Sequence, residues 1–298
     1  MVPRAEFESY YGRPVIKAPA WSAQDIAGYF FLGGLAGAGS VLAAGAHLTG
    51  RPRTATALKI SSLTAVSLSA AALIHDLGRP SRFPNMLRVF KPTSPMSVGS
   101  WLLSAYAPAA GAAAASAVTG RLPRAGATAT GAAALLGPAV ATYTAVLAAD
   151  TAVPAWHGVH RELPYLFAAS ATAAAAGMAL VTGPTSENAA ARWAAGSAAL
   201  ADLAITEAVE RRLGPVAETY REGRAGTLLR TARALTAAGA LGGALLGGRH
   251  RTASALSGLA LLAGSACTRF GVFAAGIASA EDPKYTVVPQ RERVEQRQ

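Results

Sequence analysis

Apolar residues run along this chain in blocks of roughly twenty or more, the length a helix needs to cross a bilayer core of about 30 Å at 1.5 Å per residue. Ala, Leu, Gly and Val dominate these blocks, and short clusters of Arg, Pro, Gly or acidic residues interrupt them. The pattern predicts eight transmembrane helices, Ser22–Leu48, Thr54–His75, Met96–Thr119, Ala127–Ala149, Leu163–Val181, Asn188–Glu210, Ala225–Leu246 and Thr252–Ala280. The breakers are physical. Gly50-Arg51-Pro52-Arg53, Gly120-Arg121-Leu122-Pro123 and Gly183-Pro184 close the first, third and fifth blocks, because proline lacks the amide hydrogen that continues a helix. The expected fold is therefore an all-α membrane bundle over residues 22–280, with a polar N-terminal segment 1–21 and a charged tail 281–298.

An even number of spans puts both termini on one side, together with the connections after the second, fourth and sixth helices. These near-side connections are long and chemically varied, whereas the far-side ones are short turns of Gly, Pro and Arg, so the near side is expected to meet partners. Gly33 and Gly37, and Gly239, Gly243 and Gly247, are spaced four apart on one face and read as close helix contacts. A faint internal likeness pairs Tyr29-Phe30-Phe31 with Tyr165-Leu166-Phe167, and Leu77-Gly78-Arg79-Pro80 with Leu213-Gly214-Pro215. It points to two parallel four-helix repeats.

Composition agrees: the 298 residues are 52% hydrophobic and 14% charged, against roughly 25% charged in a soluble domain. The net charge of +11 is spread as punctuation between apolar blocks. That is the placement of lipid-facing Lys and Arg, not of a nucleic-acid surface. A single cysteine, Cys267, can form neither a disulfide framework nor the ligand set of an iron–sulfur cluster. Met1–Pro19 lacks the apolar core of a removable signal, so the first helix is expected to direct insertion.

Ionisable groups inside a span cost at least about 2.5 kcal/mol near the centre, so their depth is informative. Gln24, Asp25 and Tyr29 open the first helix, His75 and Asp76 close the second, Tyr143 lies two turns before the end of the fourth and Glu207 near the end of the sixth. All fall in the near-side half. Asp202 and Arg269 sit at a matching depth in the sixth and eighth helices, where they either neutralise each other structurally or serve as a relay for protons or a polar headgroup. The five histidines form no mid-membrane pair to ligate a haem, and His157 and His160, three apart without further ligands, read as surface residues and not as a metal site.

The run Asp76-Leu77-Gly78-Arg79-Pro80, continuing through Arg82-Phe83, Asn85-Met86-Leu87 and Ser94-Pro95-Met96-Ser97 to Trp101, resembles the polysulfide-reductase NrfD-type membrane subunits. Phe31-Leu32-Gly33-Gly34-Leu35-Ala36, Tyr143-Thr144 with Pro154 and Trp156, and Asp282-Pro283-Lys284-Tyr285 extend the likeness to about residues 21–290. The resemblance implies an eight-helix anchor in the cytoplasmic membrane that binds menaquinone or ubiquinone. It would exchange electrons with an iron–sulfur subunit, which serves a large catalytic subunit, often a molybdopterin enzyme. It implies a pocket at the partner-facing end of the first four helices. There Tyr143 would hydrogen-bond a quinone carbonyl, with Gln24, Asp25 and Tyr29 nearby, Asp25, His75 and Asp76 as proton carriers, and Arg79 as the stabilising cation unless it pairs locally with Asp76. Arg82, Arg88 and Lys91 would join Arg79 in docking the iron–sulfur subunit, or contact lipid headgroups instead.

Two other readings stand beside this one. A transporter or channel built on Asp202 and Arg269 predicts helices broken at mid-membrane, for which Gly137-Pro138 is the one candidate. A passive anchor predicts no role for Tyr143. Charge does not decide sidedness, since Arg211, Arg212, Arg221 and Arg224 favour a cytoplasmic near side while the short basic turns favour the opposite.

Overall fold

A computed structural model describes residues 15–295, so part of the N-terminal segment and the last three residues of the tail lie outside the described residues. The described residues form helices and connecting turns and contain no strand. A π-turn, Ala23–Ala27, leads into α1 (Gly28–Leu48); α2 is Pro52–Asp76, α3 Pro95–Thr119, α4 Pro123–Ala149, α5 Leu163–Thr182, α6 Ala189–Leu213, α7 Gly223–Leu245, α8 Arg251–Glu281 and α9 Lys284–Glu295. The boundaries follow local chemistry. Pro52, Pro95 and Pro123 occupy the first helical position of α2, α3 and α4, where a missing amide hydrogen costs nothing. Ser94 caps α3 by accepting a hydrogen bond from the Ser97 amide at 3.4 Å, and Gly120 ends it in the left-handed region at φ 68°. The fourth helix starts at Pro123, four residues before the expected Ala127, for the same reason.

Six helices are long and apolar enough to cross a membrane: α1 with its π-turn, α2, α3, α4, α5 and α8, with 20 to 31 residues each. The other two long helices, α6 and α7, fall short in apolarity because they carry Asp202, Glu207, Glu210, Arg230 and Arg233. Gly137-Pro138 is not a break, since α4 runs without interruption from Pro123 to Ala149.

Helix α1 packs on α2 and α4, α3 joins α2 to α4, and these four close a ring; α5, α6, α7 and α8 close a second ring in the same neighbour order. The rings meet chiefly where α1 packs on α5. Lipid offers no hydrophobic gain for such contacts, so small residues have to bring backbones close. They do so at three crossings. A Cβ on Gly37 would collide with the Gly137 carbonyl oxygen and come within 2.8 Å of the Ala141 nitrogen; Gly177 would meet the Gly258 oxygen at 2.6 Å, and Gly239 the Ser257 oxygen at 2.7 Å. Gly33 only approaches Ser69 Oγ, at 3.5 Å, and Gly247 lies past the end of α7.

On the near side the connections are packed, not loose. Trp156, wholly buried, stacks on Trp21 at 5.7 Å and donates from Nε1 to the Val272 carbonyl at 2.8 Å. Lys284 Nζ donates to Glu218 Oε2 at 2.7 Å and Tyr285 OH to the same oxygen at 3.3 Å, which fastens the start of α9. The hydrogen bond from Lys284 holds the Glu218 carboxyl below its ordinary range.

Gly37→Val is expected to cost about 1–3 kcal/mol or more through overpacking at the α1–α4 crossing, read as a lower midpoint of thermal unfolding in detergent. Gly45→Ala, inside α1 where the added Cβ meets nothing within 4 Å, should keep or slightly raise the midpoint, since alanine favours the helix over glycine.

Candidate functional site

The near-side ends of α1 and α4 bring two tyrosines together. Tyr29, two residues into α1, and Tyr143, two turns before the end of α4, are both buried and joined hydroxyl to hydroxyl, with their rings edge to face at 6.2 Å. Neither position tolerates rearrangement easily. Ser69 Oγ of α2 donates to the Tyr29 carbonyl at 3.2 Å, and Gly99 of α3 leaves the space that the Tyr143 ring fills, since a Cβ there would overlap ring carbons Cε2 and Cδ2. All four helices of the first ring therefore contribute to placing this pair.

Tyr143 forms the inner wall of a near-side cleft of about 550 Å³, which lies within the roughly 300–1,000 Å³ of small-molecule sites. Pro92, Pro95, Val98, Val146 and Ala149 make it largely apolar, while Thr93, Asp150, His157 and His160 supply polar groups. The histidine tautomers follow from their partners. His157 Nδ1 donates to the Ala149 carbonyl at 3.0 Å and His160 Nδ1 to the His157 carbonyl at 3.0 Å, and a carbonyl only accepts. In both rings Nε2 is then left as the proton acceptor. The two rings stack at 5.7 Å.

One turn toward the surface from Tyr29, His75 Nδ1 bonds Asp25 Oδ2 at 3.1 Å, and Asp76 Oδ1 accepts the Ser22 amide at 3.1 Å. These bonds tie the end of α2 to the start of α1. Asp76 is thus engaged with Ser22 and not with Arg79. Gln24 is exposed and does not line the cleft, and Arg79, Arg82, Arg88 and Lys91 are exposed along the connection from α2 to α3. Of the residues singled out from the sequence, Tyr143 lines the cleft, Tyr29 backs it, and Asp25, His75 and Asp76 form a flanking surface network. His157 and His160 are the residues that sequence reasoning set aside, and Asp150 is one it did not single out. The one signal in the sequence is that Asp150, His157 and His160 all fall in the short polar connection that follows Tyr143 and the end of the fourth helix, which a search for metal spacing passes over.

The matching depth of Asp202 and Arg269 does not become a direct ion pair. The Arg269 guanidinium, wholly buried, lies 3.7 Å above the Phe167 ring and donates from Nη2 to the Phe167 carbonyl at 2.6 Å. Attraction to an aromatic face and to a backbone oxygen of α5 takes the place of the carboxylate contact. Among the described residues no three His, Cys, Asp or Glu side chains converge on one point.

Fold and site define a multi-pass helical membrane protein with a tyrosine-walled cleft at one end of its first four helices. The family description "Polysulphide reductase, NrfD" matches residues 18–191, more than half of the chain, and the chain belongs to that family. The match includes both tyrosines, the cleft and the α2–α3 connection; it ends at the start of α6. The family suggests a membrane subunit of a respiratory oxidoreductase, and its members are associated with quinones and generally partner with iron–sulfur and catalytic subunits. No curated protein matches this chain.

Gly99→Ala should displace the Tyr143 ring and break the hydroxyl contact. The expected readout is a shift of the same tyrosine hydrogen-bond band in resonance Raman difference spectra that Tyr29→Phe and Tyr143→Phe remove, whereas Gly131→Ala, with nothing within 4 Å, leaves the band in place.

Proposed function

We infer that this chain is the quinone-binding membrane anchor of a multi-subunit respiratory oxidoreductase in the cytoplasmic membrane, exchanging electrons with an iron–sulfur subunit that serves a large catalytic subunit. The observation that carries the reading is the buried Tyr143 hydroxyl, fixed by Tyr29 and Gly99 at the wall of a largely apolar cleft. A planar headgroup with carbonyl oxygens would suit these walls: Pro92, Pro95, Val98, Val146 and Ala149 would supply apolar contact, and Tyr143, His157 and His160 the polar groups.

A bound quinone supplies two-electron, two-proton redox chemistry. Everything else falls to the protein. Tyr143 donates a hydrogen bond to a carbonyl oxygen, and Tyr29 holds the Tyr143 hydroxyl against thermal reorientation. The Nε2 atoms of His157 and His160 accept and return protons at the mouth, and Asp150 keeps that mouth polar. The Asp25–His75 pair supplies a second proton carrier above Tyr29. Arg79, Arg82, Arg88 and Lys91 present an exposed cationic edge beside the cleft, where the iron–sulfur subunit docks.

The bundle is read as eight spans arranged in two parallel four-helix repeats. The shared neighbour order of the two rings supports this. So does the outward face of α6, where Trp193, Leu200 and Leu203 are exposed, while Asp202 turns inward and Glu207, Glu210 and Arg211 gather at the near-side end.

In the complex purified through this chain, Tyr143→Phe is expected to lower quinone turnover about tenfold or more, the worth of one hydrogen bond of about 1.4 kcal/mol at the reacting group, with the iron–sulfur subunit still bound. Unchanged turnover identifies a passive anchor. Arg82→Glu combined with Arg88→Glu should release the iron–sulfur subunit on size-exclusion chromatography; retention of that subunit assigns these arginines to lipid headgroups.

A further inference from the structure

The second ring holds buried charge that the tyrosine cleft does not use. Asp202 is 5% exposed and lies eleven residues before the end of α6, about 16 Å below it at 1.5 Å per residue. It belongs to no ion pair or hydrogen bond among the described residues. Asp202 lines a small cavity of about 10 Å³, roughly the space of one water, together with Thr206, Tyr220, Arg233 and Thr268.

The cations around it are incompletely bonded. Arg269 Nε and Nη1 and Arg233 Nε are buried without hydrogen-bond partners. Arg233 Nε, an orphan donor, and the unbonded Asp202 carboxyl share this water-sized space, and a bridging water satisfies both; Arg269 does not line it and acts on Asp202 through its charge. Outward from the cavity, Arg233 pairs with Glu210, and Glu210 Oε2 accepts from Arg221 Nε at 2.8 Å, with Arg221 60% exposed on the near side. The ladder therefore runs from the membrane interior to near-side solvent. Tyr220 OH donates to the Ala155 carbonyl at 3.0 Å, which leaves its oxygen free to accept from a water.

Inward, the same ladder touches the first ring. A Cβ on Gly34 of α1 would lie 2.9 Å from Arg269 Nη2, so α1 carries glycine where the guanidinium reaches it. Phe167 beneath Arg269 packs on Phe30 at 5.6 Å, and Phe30 on Tyr29 at 5.9 Å.

We propose that Asp202 is a proton-binding carboxyl that fills and empties from the near side through the hydrated Thr206–Tyr220–Arg233 cavity, with Arg269 as the cation that ties its charge to the tyrosine cleft. A permanent guanidinium at a distance, and not in contact, makes either charge state of the carboxyl attainable, whereas a close salt bridge fixes the anion. The groups that face Asp202 are Arg233 from α7, Arg269 from α8 and Tyr220 from the turn before α7, while α5 contributes only Leu166. Proton exchange is simple: the carboxylate gains one proton from near-side water or returns it. The link to the cleft rests on the quinone reading; the proton site does not.

The test is pH-difference infrared spectroscopy of the resting complex, without quinone turnover. Wild type is expected to show the C=O band of a protonated carboxyl on acidification, Asp202→Asn to lose it, and Asp202→Glu and Arg269→Lys to shift it. No such band in wild type, or its persistence in Asp202→Asn, overturns the proposal; should Asp202→Asn fail to accumulate, an unshifted band in Asp202→Glu does the same. In Tyr143→Phe the band should remain whether or not turnover is lost, which separates this proposal from the cleft.

Discussion

Helices in a bilayer gain little by exchanging lipid contact for one another, so the geometry of the molecule hangs on where backbones can touch. The crossing of α1 and α4 at Gly37 and Gly137 is such a place, with each glycine seated on the other's carbonyl oxygen. Tyr29 stands eight residues toward the near side of Gly37, and Tyr143 six residues toward the near side of Gly137. Helices held any farther apart at the crossing would separate two hydroxyls that now touch. The tyrosine pair is thus set by a contact about 10 Å deeper, at 1.5 Å of rise per residue, where Tyr106 OH also donates to the Ala36 carbonyl at 2.6 Å.

A different solution joins the two rings. Arg269 of α8 spans the joint, covered by the Phe167 ring and bonded to the Phe167 carbonyl, with its tip against Gly34 of α1. A cation buried this deeply is costly unless aromatic faces, carbonyl dipoles and a counter-charge share it. Here α5 supplies the first two and α6 the third. The arrangement explains why α6 and α7 look less like membrane helices than the rest: apart from Arg192 at the far-side start of α6, their charges are directed to the interior or collected toward the near-side end, and the outward face of α6 is largely apolar.

Much of this was legible in the sequence, and the reasons for the exceptions are specific. Block length and proline placement located the long helices to within a few residues, because first-turn prolines and terminal glycines act locally. Depth along the helices put Tyr29 and Tyr143 in the same half, and residue type singled them out. What depth cannot give is azimuth. Asp202 and Arg269 share a level but not a contact, since an aromatic face on α5 competes for the guanidinium. Gln24 stands beside Asp25 in the chain and points away from the cleft. His157 and His160 were read by metal-ligand spacing, whereas their part in the cleft depends on Nδ1 bonds to backbone carbonyls that no spacing rule contains.

The connection between α4 and α5 carries the most consequence for how the halves act on one another. Its Trp156 is clasped by Trp21 at the start of the chain's first helix and by Phe273 of α8, and a glycine, Gly276, is required where the indole lies. The next residue, His157, lines the tyrosine cleft and also a second near-side crevice of about 500 Å³ formed with Arg212, Leu213, Tyr285 and Pro289. The His157 imidazole is therefore bonded to α4 of the first ring through the Ala149 carbonyl, while the residue before it is packed by α8 of the second. Any shift of α8 at Val272 or Gly276 has to be taken up by Trp156, because a fully buried indole has no empty space to move into.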